Sequence, residues 1–182
     1  MTTTRTTLSE LTGDYVLDPA HTRIGFVARH TMGSRVHGQF DEFEGGAYLD
    51  GDEPSKSSAR LTIQAKSIQT RNAQRDGQLS GRFLRADDHP AITFTSARVS
   101  QTGPATFKVA GDLTIRGVTR PVTLDFELTG AENDRSGDRR VTLRGGTVIS
   151  RRDWGVDWNA AIGVMVGGKV KLEFDVVLVP LS

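Results

Sequence analysis

Phe107-Lys-Val-Ala-Gly-Asp-Leu-Thr-Ile-Arg-Gly-Val-Thr-Arg-Pro-Val-Thr-Leu-Asp-Phe-Glu-Leu128 reads as two β-strands joined by a tight turn. Phe107, Val109, Leu113 and Ile115 alternate with Lys108, Asp112, Thr114 and Arg116, and Val122, Leu124, Phe126 and Leu128 alternate with Thr123, Asp125 and Glu127. Successive side chains of a strand point to opposite faces, so each run has one apolar and one polar face. Arg116 to Pro121 separates them, with Gly117 available for the backbone conformation a hairpin needs. The same period recurs on both sides of this stretch. Leu61, Ile63 and Ala65 oppose Arg60, Thr62, Gln64 and Lys66, and Val170, Leu172, Phe174, Val176 and Leu178 oppose Lys169, Lys171, Glu173 and Asp175. Weaker alternation marks Tyr15–Leu17, Ile24–Arg29, Gln39–Leu49, Ile92–Val99 and Val141–Ile149. The pattern predicts about eight or nine antiparallel strands. Val, Ile and Thr make up 43 of the 182 residues, which suits a pleated surface.

Turn-forming clusters lie between these runs, at Asp50–Pro54, Gly103-Pro104 and Asn133–Gly137. One stretch breaks the period. Asn72 to Leu84 sets Leu79, Phe83 and Leu84 at helical spacing behind Asn72, a residue suited to an N-cap, and predicts one short helix inserted among the strands. Residues 1–12 read as a polar, flexible arm, leaving 13–182 as a single domain. A sheet of this size closes into a barrel or stacks as a sandwich. Its inward face carries few large aromatics, Phe26, Phe40, Phe94, Phe107, Phe126 and Phe174, with Gly and Ala beside them. An eight-stranded barrel with such an interior has room for one small ligand.

Composition narrows the function. With 23 basic and 22 acidic side chains the chain has no field to attract nucleic acid. Without cysteine there is no disulfide, thiolate metal site or thiol nucleophile. No apolar run is long enough to span a bilayer, and the polar start, lacking an apolar h-region, leads us to expect a cytoplasmic protein. Gly163-Val-Met-Val-Gly-Gly-Lys169 matches a phosphate loop in form only, since Val170 stands where a hydroxyl is needed and a strand follows. The four histidines show no metal-ligand spacing, so neither a metal nor a catalytic set is assigned, and no cofactor is expected.

Taken together, the motifs resemble the YceI-like family of polyisoprenoid-binding proteins. The resemblance rests on Leu17-Asp-Pro-Ala-His-Thr22, Gly38-Gln-Phe-Asp41, Ser67-Ile-Gln-Thr70 with Arg75-Asp-Gly-Gln-Leu79, His89-Pro-Ala-Ile-Thr-Phe-Thr-Ser96, Gly111 to Val122, and Arg152-Asp-Trp-Gly-Val156, in order over about residues 14 to 180. It implies a lipocalin-like antiparallel barrel whose apolar lumen holds a polyisoprenoid or similar long-chain lipid, and a homodimer. Trp154 stands where the family usually has Phe. The residues themselves also allow an enzyme acting on an apolar molecule at the barrel mouth, or an interaction module whose barrel is self-filled.

The bulky inward residues Phe26, Phe40, Ile63, Phe94, Leu113, Ile115 and Phe126 are the expected ligand contacts, with Trp154, Trp158 and Met165 at the mouth. Arg152 is the candidate for a polar or anionic head group, because a guanidinium fork suits phosphate oxygens. Arg75 and Asp76 are expected to pair and pin the helix to the barrel, with contact to a head group as the alternative. The final Val176-Val-Leu-Val-Pro-Leu181 is apolar on both faces, which also fits a homodimer.

Overall fold

The computed structural model describes residues 7–30, 35–133, 139–156 and 166–181. Among the described residues eleven strands form one antiparallel sheet. They are β1 (Gly13–Leu17), β2 (Arg23–His30), β3 (Arg35–Phe40), β4 (Phe43–Leu49), β5 (Ser58–Gln64), β6 (Ile68–Gln69), β7 (Ala91–Gln101), β8 (Thr106–Ile115), β9 (Val118–Asn133), β10 (Arg139–Ser150) and β11 (Val166–Pro180). The order β1-β4-β5-β7-β8-β9-β10-β11 closes on itself through β1 and β11, giving an eight-stranded barrel. β2, β3 and β6 are not extra staves. β2 continues β1 along β11, β3 continues β4 along β2, and β6 continues β5 along β3. The difference from eight or nine predicted runs is therefore three staves broken in the middle.

The breaks are repaired by hydrogen bonds that a continuous ladder would not need. Between β1 and β2 the Val177 N–H donates to Thr22 Oγ1 at 3.0 Å and the Asp18 N–H to Val177 O at 2.9 Å. Between the other two pairs the Asp41 N–H donates to Ser67 O and the Gln64 N–H to Glu42 O, while the Ser67 hydroxyl donates to Gln64 O at 2.7 Å. The β8–β9 hairpin turns on Arg116 (φ 56°) and Gly117 (φ 76°). Two successive left-handed residues match the sheet's own twist, so the strands pair right up to Ile115 and Val118.

One end of the barrel carries the chain termini and the other the inserted helix. At the helical end, α1 spans Ala73–Gln78, capped by Asn72 Oδ1, which accepts from the Arg75 N–H at 3.0 Å. The single helix expected to Leu84 gives way at Leu79–Phe83 to a wider turn, in which the Leu84 N–H reaches Leu79 O. That widening turns Leu79 and Phe83 into the barrel end, where both are buried. Arg75 and Asp76 are joined through Thr70 instead of pairing directly. The Thr70 hydroxyl donates to Asp76 Oδ1 and accepts from Arg75 Nε, and Arg75 Nη2 donates to Thr70 O. At the terminal end, Leu8–Leu11 of the N-terminal arm form a 3-10 turn, with Leu11 buried under the Tyr15 hydroxyl that donates to its carbonyl. Among the described residues no helix is long and apolar enough to cross a membrane.

Candidate functional site

The barrel encloses a cavity of about 300 Å³, lined from Leu8 and Leu11 at the terminal end to Leu79, Phe83 and Trp154 at the helical end. Its wall is almost wholly apolar because most of the strand residues that line it are Val, Leu, Ile, Phe, Ala or Gly. Eight of the expected contact residues line it: Phe26, Phe40, Ile63, Phe94, Leu113, Ile115, Phe126 and Trp154. Phe26 packs on Phe40 with ring centroids 5.8 Å apart, and Phe126 on Phe174 at 6.1 Å. Trp158 and Met165 lie outside the described residues.

Arg152 is exposed and does not line the cavity, whereas its neighbour Arg151 is 6% exposed and does. The reason is parity. Val141, Leu143 and Ile149 face inward on β10, and the same alternation carried past Ile149 selects residue 151. Arg151 Nη1 donates to Val156 O at 2.8 Å. The second cation lining the helical end is Arg75, oriented by Thr70. Asp76, the neighbouring carboxylate, is occupied by the Thr70 N–H and hydroxyl and does not line the cavity.

Trp154 closes the helical end. It is 2% exposed, and its indole N–H donates to Leu113 O at 2.9 Å, satisfying its one polar atom inside an apolar cluster. Two arginines of the β8–β9 hairpin hold the turn that carries it. Arg116 Nη1 donates to Gly155 O, and Arg120 Nε to Asp153 O at 3.1 Å. The Arg-Gly-Val-Thr-Arg-Pro motif thus shapes the hairpin through Gly117 and grips the neighbouring cap through its arginines.

Sequence reasoning missed Leu79, Phe83, Leu8 and Leu11 as lining residues. The helical spacing of Leu79 and Phe83 marked them as buried without saying what they covered. Leu8 and Leu11 stand three apart in a polar segment, a signal too short to separate from chance. Val109, Leu124, Leu172, Val176 and Leu178 also line the cavity and were legible from the alternation. Among the described residues no group of three His, Asp or Glu side chains can hold a metal ion.

Comparison with known proteins agrees with this architecture. The chain is 37% identical over 166 residues to UPF0312 protein SAS2572 of Staphylococcus aureus, covering 88% of this chain and 94% of that one. Its fold is that of Burkholderia cenocepacia BcnA, with a TM-score of 0.79 at 23% identity over 88% of this chain and 98% of that one. It also matches a polyisoprenoid binding domain from Saccharophagus degradans implicated in plant cell wall breakdown, with a TM-score of 0.71 at 16% identity over 92% and 98% of the two chains. Residues 15–178 match the YceI-like domain over almost the whole barrel, and the chain belongs to that family.

Proposed function

We propose that this protein binds a long-chain amphiphilic lipid of the polyisoprenoid class in its barrel, as a carrier or sequestering protein without covalent chemistry. The observation that carries this reading is the apolar cavity, lined from one end of the barrel to the other. Each buried methylene contributes about 0.8 kcal/mol, so a long hydrocarbon chain is held by burial alone. Family membership and the named activity of the Saccharophagus domain support the ligand class. The eight expected contacts that line the cavity touch the tail, and the polar end of the lipid lies at the helical end beside Arg75 and Arg151, the cations facing the cavity there.

The lining favours binding over catalysis at the mouth. Among the described residues the one carboxylate of the lining, Asp50, lies at the terminal end and accepts from the Asp52 and Glu53 N–H groups, and no described histidine joins it. A homodimer is part of the same reading. Val16, Val177 and Val179 lie on the outer faces of β1 and β11, with Val16 opposite Val179 across the pair. Light scattering is expected to report twice the 19.8 kDa chain mass.

Organic extraction of the purified protein followed by mass spectrometry tests the function. The expected result is one reproducible set of isoprenoid peaks across preparations. Extracts without lipid, together with failure to take up geranylgeraniol in solution, overturn it.

A further inference from the structure

Three inward glycines each lie beneath a phenylalanine ring of a neighbouring stave. A methyl group placed on Gly38 falls on the tip of Phe26, with Cζ and Cε1 nearer than Cε2 at 2.8 Å. On Gly111 it meets Phe94 Cζ at 2.7 Å, and on Gly145 it meets Phe126 Cδ1 at 2.6 Å. Phe26 faces Gly38, and Phe126 faces Gly145, in direct cross-strand register. Phe94 reaches Gly111 diagonally, its own partner being Leu113. These contacts are closer than any real Cβ tolerates, so each ring occupies a notch that only glycine leaves open. Each ring therefore lies against a glycine of the neighbouring stave while still lining the cavity.

We infer that Gly38, Gly111 and Gly145 set the girth of the chain this barrel accepts, by giving Phe26, Phe94 and Phe126 a place to lie flat. The inference rests on the lipid-binding reading and names what that site selects: cross-section, so that a methyl-branched isoprenoid chain fits as well as a straight one. Losing one notch raises a ring into the bore. At Gly38 the three nearest atoms all belong to the Phe26 ring, whereas at Gly111 and Gly145 the methyl also meets the Thr95 and Asp125 backbone oxygens. Gly38 is thus the position where only the ring has to move. Phe40 packs at its side, so the open direction is the lumen. Overpacking of this kind is costly, and the cost falls on the wider ligand.

The test compares dissociation constants of the full-length protein for geranylgeraniol, which is methyl-branched, and for hexadecanol, which is straight. Gly38→Ala is expected to raise the branched-to-straight ratio about tenfold. Adding Phe26→Leu to that variant is expected to return the ratio to within about twofold of wild type, since removing the ring removes the obstruction. An unchanged ratio in a folded Gly38→Ala protein, or no rescue in the double variant, overturns the inference while leaving lipid binding intact. If circular dichroism shows that Gly38→Ala does not fold, Phe26→Leu alone decides: a ratio below wild type supports the inference and an unchanged ratio overturns it. Wild-type protein that binds neither alcohol sinks both this inference and the lipid-binding reading.

Discussion

The two halves of the barrel wall are built differently. From β7 to β11 the staves are unbroken, with β9 and β11 running to 16 and 15 residues. From β1 to β6 each stave is interrupted, at Asp18–Thr22, Asp41–Glu42 and Ala65–Ser67. The unbroken half is held by its backbone ladder, and register errors are absorbed in bulges such as the one at Thr142/Leu143. The broken half exchanges part of that ladder for side-chain hydrogen bonds from Thr22 and Ser67. The lesson is that closure of the cylinder does not require eight regular strands. It requires that every backbone group at a break find another partner.

Five substitutions break or sharpen this contrast. The largest effect is expected on the unbroken wall at Leu113, 6% exposed and facing the cavity. Leu113→Glu places an uncompensated carboxylate in an apolar lumen and is expected to cost about 3–5 kcal/mol. It also abolishes lipid uptake, read by urea denaturation and a fluorescent-lipid displacement assay. Uptake at wild-type affinity by a folded variant removes Leu113 from the site.

Next comes Trp154→Ala, which empties the cap over the same wall and leaves Leu113 O without its indole partner. A loss of about 3–4 kcal/mol in denaturant stability is expected. A loss below about 1 kcal/mol in the same titration means that the helical end is closed by something else.

Thr22→Val tests the broken wall. It keeps the shape but strands the Val177 N–H at a seam where the ladder is already interrupted, at an expected cost of about 1–2 kcal/mol. Thr129→Val on the unbroken wall removes an exposed hydroxyl bond to Thr142 O and is expected to stay within about 0.5 kcal/mol. Equal losses at the two sites erase the distinction between the walls.

A small, pH-dependent effect belongs to Asp18 in the first break. The hydrogen bond from His21 Nδ1 at 2.7 Å is the main cause holding its carboxyl below the ordinary carboxylate range, and Arg140 adds to it at 3.7 Å. A depressed folded-state pKa stabilises the fold above the unfolded value near 3.8, and that contribution is lost as pH falls through the lower folded value. Asp18→Asn is therefore expected to lower stability at pH 6 by under about 1 kcal/mol and to change little at pH 2. Thermal melts at the two pH values check the sign.

The same contrast explains what was legible. On the unbroken side, alternation at Phe107–Leu128 and Lys169–Leu178 placed Leu113, Ile115 and Phe126 on the lumen, and parity carried past Ile149 reaches Arg151. On the broken side the chain turns after Asp18, where the His21 N–H donates to Asp18 O. That β1 and β2 are nevertheless one stave appears only when both lie along β11. The helix cap at Asn72 was local and readable, whereas the widened turn after Gln78 answers to the barrel end it fills.

Side-chain period, turn chemistry and the exclusion of thiol and phosphate-loop chemistry were determined by the sequence alone, since each is a property of a few neighbouring residues. The closure of β1 on β11, the pairing of Phe26 with Gly38, the bridging of Arg75 to Asp76 by Thr70 and the cavity of about 300 Å³ were decided by the tertiary structure. These depend on register and barrel closure, which sum contacts between residues far apart in the chain. A cavity is the small difference between the volume a closed barrel encloses and the volume its side chains fill, and no local pattern encodes that difference.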